Sequence, residues 1–576
     1  MKYEKTFISS KYYAMLAGGT LTSLLVAAVV MADTFIAGLL LGDRGVAGVN
    51  LVLPVYSLAG FFALAISLGA PILYSHQAGA FQKEKADKTF GTGLLLAIIT
   101  GVALFIILLL LGDEYLHFYD ADQDIYELAK AYLKWMKYYI MLTPLQALIS
   151  GMVFTDGDEV VSSIGNLISG VGNILLSIPL CLKMGIGGLG MASFMTSALA
   201  LIFLFSHFLK KSNSLRLNLF FSLEIMHRII KYSIVDSSTY LFIAIFTFTC
   251  NHLVVYFFGS EMLYLAAVVT FMKEMQIIFD GIGEAITPLI SLYLGEETYG
   301  GVHEIWRHAK RTARIEGVLV TSMAFVLAPL FIRVIGVTDP QAAHIATWEL
   351  RIISLSLIFT CRLYLDSSYY IIVDKIPLGV LICALRDIVI SLPLAVLGIN
   401  LGGIYGMAFG LMLAQPLSYM ISVYYVKLRY GKDNYPLFIA NKEDKKRTLF
   451  YEFEINEANI VSVRDAIGNV LEQEKYTRKT VNRVMLIIEE ALMMIFDNNQ
   501  GKKVLAECSM IMGDPLTVII KDDGILFDLT KSDMEVNSMR SYVMANLINN
   551  YSLKKMHFLT LSYNRNVFEI KEESVK

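Results

Sequence analysis

The chain has 576 residues, 56% of them hydrophobic and only 17% charged, with a formal net charge of −3. A soluble globular protein carries about a quarter charged residues, so most of this chain is expected to face lipid. The small net charge gives no ground for a nucleic-acid partner, and five cysteines without metal-ligand spacing are expected to be reduced and structural.

At the N-terminus, MKYEKTFISSKYYAMLAGG is basic and then apolar. The apolar run from Ala14 to Leu41 exceeds a signal-peptide core and lacks a small-residue cleavage pattern, so it is read as a retained first span. Apolar runs of about 20 residues, enough to cross a hydrocarbon core, recur to about position 430. They predict twelve helices, at 14–40, 47–79, 90–112, 132–154, 161–182, 187–209, 231–258, 262–294, 312–336, 347–373, 377–399 and 402–427. Prolines such as Pro54, Pro144, Pro288 and Pro416 interrupt several spans, which membrane helices tolerate when neighbours re-satisfy the backbone. Lysine and arginine cluster at Lys2–Lys11, Lys83–Lys88, Lys210–Lys231 and Arg307–Arg314, all on one side. By the positive-inside rule both termini are cytoplasmic.

An internal repeat is visible in the sequence. SIPLCLKMGIGGLGMA (177–192) matches SLPLAVLGINLGGIYGMA (391–408), with Pro179 opposite Pro393 and Gly190 opposite Gly406. Gly42 and Gly259, and likewise Pro71 and Pro288, share an offset of 217. The expected domains are therefore a six-helix half at 1–215, a second at 216–430, a linker at 431–446 and a soluble tail at 447–576. Paired halves are a common transporter plan, with the substrate site between them.

Two segments carry a family resemblance. VVMADTFIAGLLLGDRGVAGVNLVLP looks like the first-helix signature of the multidrug and toxic compound extrusion (MATE) family, and VGNILLSIPLCLKMGIGGLGMASFMTS is similar to its fifth-to-sixth-helix segment. The resemblance covers residues 10–430. It implies an antiporter driven by a proton or sodium gradient that exports compounds, often cationic, while superfamily relatives include flippases for lipid-linked sugars.

A carboxylate within a span costs at least about 2.5–3.5 kcal/mol, so each one needs a reason. Asp33 is mid-span, with no basic residue within a turn or two. The resemblance implies that it works with an Asn-x-x-x-Asp pair on the fifth helix. Here Asn173 stands in the first place and Ser177, one turn on, replaces the acid. Thr196 is added to this ion-coupling set. In the second half, FMKEMQIIFDGIGEAITP carries Lys273, Glu274, Asp280 and Glu284, with the last two stacked at i, i+4. Arg362 and Asp366 share that spacing with opposite signs. Asp387, beside Arg386, is the repeat mate of Asn173. These acids either carry protons or line a watery cavity. The acids with many Tyr, Phe and Met residues suit organic cations, whereas Lys273, Arg362 and Arg386 leave an anionic or amphipathic substrate open.

After residue 446 charge rises and apolar runs shorten. RTLFYEFEI (447–455) alternates like a half-buried strand. Helices are predicted near 457–474, 477–497 and 537–549, with strands near 503–511 and 516–521 and two more at the end. This order resembles the ATP-binding domain of anti-sigma factor serine kinases and histidine kinases. RVMLIIEEALMMI aligns Glu490 with the activating glutamate, KDDGILFDL aligns Asp522 with the adenine-reading aspartate and Gly524 with the first glycine, and NSMRSYVMANLI stands at the lid. The magnesium-binding asparagine is Met494, a thioether with poor affinity for a hard cation. The second glycine is Leu526, and Ser538, Met539, Arg540 and Ser541 replace the lid glycines. Phosphoryl transfer needs metal and backbone positioning, so the tail is expected to bind a protein partner or regulate without burning ATP, with weak adenine-nucleotide binding at Glu490, Asp522 and Gly524 as the alternative.

The expected protein is thus an all-α polytopic membrane protein of two pseudo-symmetric halves with a C-terminal cytoplasmic α/β domain, a helix-on-sheet fold like that of the kinase ATPase family. It is expected to sit in a bacterial-type plasma membrane and to export a small molecule against Na+ or H+, with no enzymatic activity and no required cofactor. The alternatives are a lipid-linked substrate flippase and a membrane ligand sensor that signals through the tail.

Overall fold

The computed structural model describes residues 6–79, 82–156, 158–210, 213–438, 448–530, 535–558 and 561–571. The chain forms two compact units. One comprises Thr22–Asp280 and Ala313–Tyr425; the other comprises Met1–Leu21, Gly281–Thr312 and Val426–Lys576.

The larger unit is helical, because its apolar runs satisfy their backbone internally. Its elements are α1 (Phe7–Ser67, entering from the smaller unit), α2 (Gly69–Gly79), α3 (Lys83–His117), α4 (Gln123–Thr155), α5 (Glu159–Met184), α6 (Gly187–Phe205), α7 (Leu223–Phe258) and α8 (Leu263–Glu274). After α9 (Asp280–Gly295) come α10 (Tyr299–Val334), α11 (Pro340–Ser354), α12 (Leu357–Ile372), α13 (Ile376–Ala384) and α14 (Ser391–Tyr430). Among the described residues nine helices are long and apolar enough to cross a membrane, or ten if α11 and α12, bent by 45°, form one span. The difference from twelve separate runs has a physical cause. The runs expected at 14–40 and 47–79 meet inside α1, whose only non-helical residue is Gly42 (φ 74°, ψ −166°). Those expected at 377–399 and 402–427 meet inside the span Ile376–Tyr430, across Gly402 and Gly403 (φ 59°, ψ −142°).

The joints recur along the chain. Gly259 (φ 83°, ψ 166°) ends α7 much as Gly42 breaks α1, and Gly185 (φ 62°, ψ −149°) ends α5 in the conformation of Gly403. This region of backbone space is open essentially to glycine alone. Two other breaks lack glycine. The span expected at 262–294 is divided by a 3-10 turn at Met275–Phe279, and Leu385–Val389 forms a π turn between α13 and α14. The carbonyls displaced by the π turn are taken up by side chains: Arg386 O accepts from Ser391 Oγ and from Gln415 Nε2, and Leu385 O accepts from Ser418 Oγ at 3.1 Å.

The smaller unit holds the C-terminal domain, built from β1 (Thr448–Glu454), α15 (Glu457–Gln473), α16 (Arg478–Asn498), β2 (Leu505–Ile511), β3 (Leu516–Asp522), α17 (Glu535–Leu547), β4 (Asn550–Phe558) and β5 (Leu561–Ile570). These boundaries fall within a few residues of those expected; Arg447 and the expected linker residues 439–446 lie outside the described residues. The sheet order is β1-β2-β3-β5-β4, every pair antiparallel. Asn456 and Thr477 cap α15 and α16. Period-two alternation turns Cys508, Met510, Val518 and Ile520 toward these helices, where they join Ile467, Val484, Ile488 and Leu492 in one core. All five cysteines are free and buried.

Candidate functional site

Asp33 of α1 sits at a small cavity of about 80 Å³ whose lining mixes Val29, Leu53 and Met136 with Tyr56, Tyr132, Tyr139, Asn173 and Ser193. Close backbone approach places the parts. A Cβ on Gly190 of α6 would lie 2.8 Å from the carbonyl oxygen of Tyr132, so α4 and α6 touch beside this tyrosine. Tyr132 donates its hydroxyl hydrogen to Asp33 Oδ2 at 2.6 Å, while Asp33 Oδ1 is buried with no hydrogen-bond partner among the described residues. Asn173 Nδ2 donates to Ser193 Oγ at 2.8 Å. Ser177 is fully buried, with its hydroxyl on the Asp33 side and within reach of that carboxylate. Thr196 is placed differently, since its hydroxyl donates back to Ala192 O at 2.9 Å.

Of the second-half acids, Glu274 is buried and within electrostatic range of Asp33. Tyr56, its ring stacked on Tyr139 at 6.1 Å, feels Glu274 as well. No local pattern in the sequence marks these tyrosines, since Tyr56 lies on α1 and Tyr132 and Tyr139 lie two turns apart on α4. Asp280 and Glu284, both on α9, are exposed.

Asp387 is the opposite of Asp33. Its two oxygens are held by Arg386 Nε and Nη2, each at 2.8 Å, and Lys273 Nζ adds a further contact. All three side chains are almost wholly buried. Arg386 also lies over the Tyr364 ring at 3.9 Å. Two cations on one carboxylate leave this cluster net positive. Beside Lys273, a cavity of about 20 Å³ is lined by Gln276 and Gln415, whose buried Oε1 atoms have no hydrogen-bond partner among the described residues. Arg362 and Asp366 pair separately at 2.8 Å. Glu349 was not singled out from sequence, because it sits alone in an amphipathic run. It is fully buried, and neither of its carboxylate oxygens has a hydrogen-bond partner among the described residues.

In the C-terminal domain, Asp522 ends β3 with Oδ1 accepting from Gly524 N (3.0 Å) and Asn564 Nδ2 (2.8 Å); Oδ2 is buried without a hydrogen-bond partner among the described residues. Burial pushes its carboxyl up to about 7, against the pull of those two donors. A Cβ on Gly524 would lie 2.7 Å from the Asn499 amide nitrogen, so the loop closes on Asn499. Glu490 lies 3.3 Å from Arg540, which also holds Asp497 at 2.6 Å. Met494 is fully buried in the helix-on-sheet core, and Leu526 points outward, 40% exposed. The side chains of Ser538 and Met539 lie outside the described residues. Among the described residues no group of three His, Cys, Asp or Glu side chains is placed to hold a metal ion.

Comparison with known proteins places this geometry in a family context. Residues 20–182 match the MatE family model. In fold the chain is similar to a multidrug resistance MATE family transporter of the MOP superfamily in its inward-facing conformation, with TM-score 0.64 and 19% identity, over 70% of this chain and 94% of that one. An outward-facing conformation of such a transporter is similar at TM-score 0.58 and 18% identity, over 73% and 95%. A MOP superfamily transporter from Pyrococcus furiosus, whose binding pocket of reverse polarity is described as suggesting a different function, is similar at TM-score 0.59 and 18% identity, over 73% and 95%. No curated protein matches the chain. The resemblance to MATE transporters is thus present both as a family-model match over residues 20–182 and as a similar fold.

Proposed function

We propose that this MATE-type membrane protein is a cation-coupled antiporter that exports organic compounds across a plasma membrane by alternating access. The single observation that carries the reading is Asp33: a half-buried acid with one phenol donor, serine hydroxyls within reach and no ion-pair partner among the described residues, at the edge of a cavity. A carboxylate left in that state inside a span is suited to take up and release H+ or Na+. Asn173, Ser177 and Ser193 supply neutral oxygens beside it, and Glu274 is a second acid within its field.

Twelve spans in two halves remain the reading of the helical part. Counting the broken elements α1 and Ile376–Tyr430 as two spans each, and α11 with α12 as one, brings the candidates to twelve. The paired glycine joints support a repeat of the halves 1–215 and 216–430. Both termini and the domain at 447–576 are cytoplasmic in this reading. That domain regulates the transporter or docks a protein partner; its resemblance to kinase ATPase domains carries no chemistry, because Met494 fills the metal position and Arg540 neutralises Glu490.

A second reading, an anionic or lipid-linked substrate, is favoured by the net positive cluster of Lys273, Arg386 and Asp387. The Pyrococcus furiosus relative with a pocket of reverse polarity adds to it. Proteoliposomes loaded with ethidium and given a pH or sodium gradient test the main reading. Gradient-driven efflux is expected from the wild type and at least a tenfold loss from Asp33→Asn. Equal efflux from both proteins would remove Asp33 from the mechanism, and no efflux of any cationic dye would favour the second reading.

A further inference from the structure

Both faces of the C-terminal sheet carry buried side chains among the described residues. One packs on α15 and α16; the other is polar, with Glu507, Ser509 and Lys521 all fully buried. What covers this polar face includes residues of two distant chain segments in the same compact unit, the start of α1 and the corner from α9 into α10. Lys521 Nζ lies 2.6 Å from Glu296 Oε2 and 3.1 Å from Glu507 Oε1, and 3.8 Å from the centre of the Tyr293 ring. The Tyr293 hydroxyl donates to Glu507 Oε2, Ser509 Oγ donates to Glu507 Oε1, and Arg565 Nε donates to Glu296 Oε1 at 2.5 Å. Two acids and two bases balance, and all four carboxylate oxygens are engaged. Around this network Ile8 N donates to Glu452 at 2.6 Å, Phe7 meets Tyr563 edge-on at 5.6 Å, and a Cβ on Gly300 would fall 2.5 Å from Phe450 Cβ.

A satisfied buried ion network is a poor source of net stability but a strict one of register, because removing any partner strands a charge. It therefore holds one docked arrangement and lets go as a unit. The element it holds is α9, the second piece of the broken span whose first piece ends in Lys273 and Glu274. We propose that the C-terminal domain is an intramolecular governor: Lys521 and Arg565 grip Glu296 and Tyr293, and through them restrain the broken span α8–α9. This inference does not depend on the transport reading.

The test uses the full chain in detergent, with two readouts that need no substrate. Hydrogen exchange over 293–301 and β2–β3 reports docking. Labelling of Cys250 and Cys383 by a membrane-permeant maleimide reports the span, since both lie within the electrostatic reach of Lys273. Glu296→Lys puts like charge beside Lys521 and Arg565 and is expected to speed exchange at least tenfold and change labelling at least threefold. Arg565→Met should act in the same direction, and Arg565→Lys should remain close to wild type. Because Glu296 lies outside the tail sequence, its variant decides even if Arg565→Met loosens the sheet itself, which exchange in α16 would reveal. Unchanged exchange in Glu296→Lys would overturn the latch, and faster exchange with unchanged labelling would overturn the restraint on the span.

Discussion

Asp33 and Asp387 carry the same carboxylate into opposite surroundings, and the difference sets what each can do. Asp387 is locked between two cations, so its charge is fixed by its neighbours. Asp387→Asn leaves Lys273 and Arg386 buried around a neutral amide, and breaking a buried pair in this way costs about 3–5 kcal/mol. The thermal unfolding midpoint in detergent is expected to fall accordingly, with a smaller drop for Asp387→Glu; a neutral Asp387→Asn would show that the cluster finds its counter-charge elsewhere. Asp522 permits a prediction with a sign. Its folded-state value is about 7 because burial disfavours the anion, against about 3.9 for an unfolded aspartate. Between those values the folded state holds a proton that the unfolded state has released, so stability falls as pH rises from about 4 to 7 and is flat above. The loss is at most about 4 kcal/mol, a figure that already contains the opposing pull of Asn564, Gly524 and Lys11 and the push of Asp523. Asp522→Asn should therefore stabilise the C-terminal domain at pH 8 and do little at pH 4, read as amide-exchange protection in β3. Equal gains at the two pH values would refute the burial argument.

At the scale of elements, what the sequence made legible was what is local. Runs of apolar residues placed the spans, and alternation over 447–455 placed the tail's first strand. The joints were legible only in part: Gly42 and Gly259 stood out by their common offset, and their matching backbone angles explain why that residue type returns there. The turns at Met275–Phe279 and Leu385–Val389 were not legible, since MQIIF and LRDIV contain neither glycine nor proline. The π turn is stabilised by Gln415 and Ser418, about 30 residues further on, and no local pattern announces such a partner. Glycine joints can be tested against a matched control. Gly185 and Gly295 both have open space around an added Cβ, but only Gly185 has a positive φ. Gly185→Ala is thus expected to cost about 1–3 kcal/mol through backbone strain alone, while Gly295→Ala, within a helix, should be neutral or stabilising by up to about 1 kcal/mol. The two unfolding midpoints, measured side by side, separate strain from packing; equal shifts would mean that the joint relaxes freely.

For the whole molecule, the energy source is the question that ties the membrane part to the tail. Met494 and Leu526 argue, as residues, against ATP chemistry in the proposed kinase-like domain, and the placement of Met494 supports that proposal. The thioether is buried in the helix-on-sheet core, so an asparagine restored there would have to enter a packed interior rather than an open metal site. Glu490, which the resemblance aligns with the activating glutamate, lies 3.3 Å from Arg540. The polar sheet face was the part sequence left dark: Glu507 and Lys521 alternate like any half-exposed strand, and their role depends on Tyr293, 214 residues before Glu507. An imposed ion gradient should accordingly drive efflux from proteoliposomes with no nucleotide present. Adding ATP and magnesium to the tail side should leave the initial rate within about twofold, and purified protein should release no phosphate, with Met494→Asn restoring none. A gradient-independent, ATP-dependent flux would reverse the assignment of the two parts, making the tail the motor and Asp33 a structural acid.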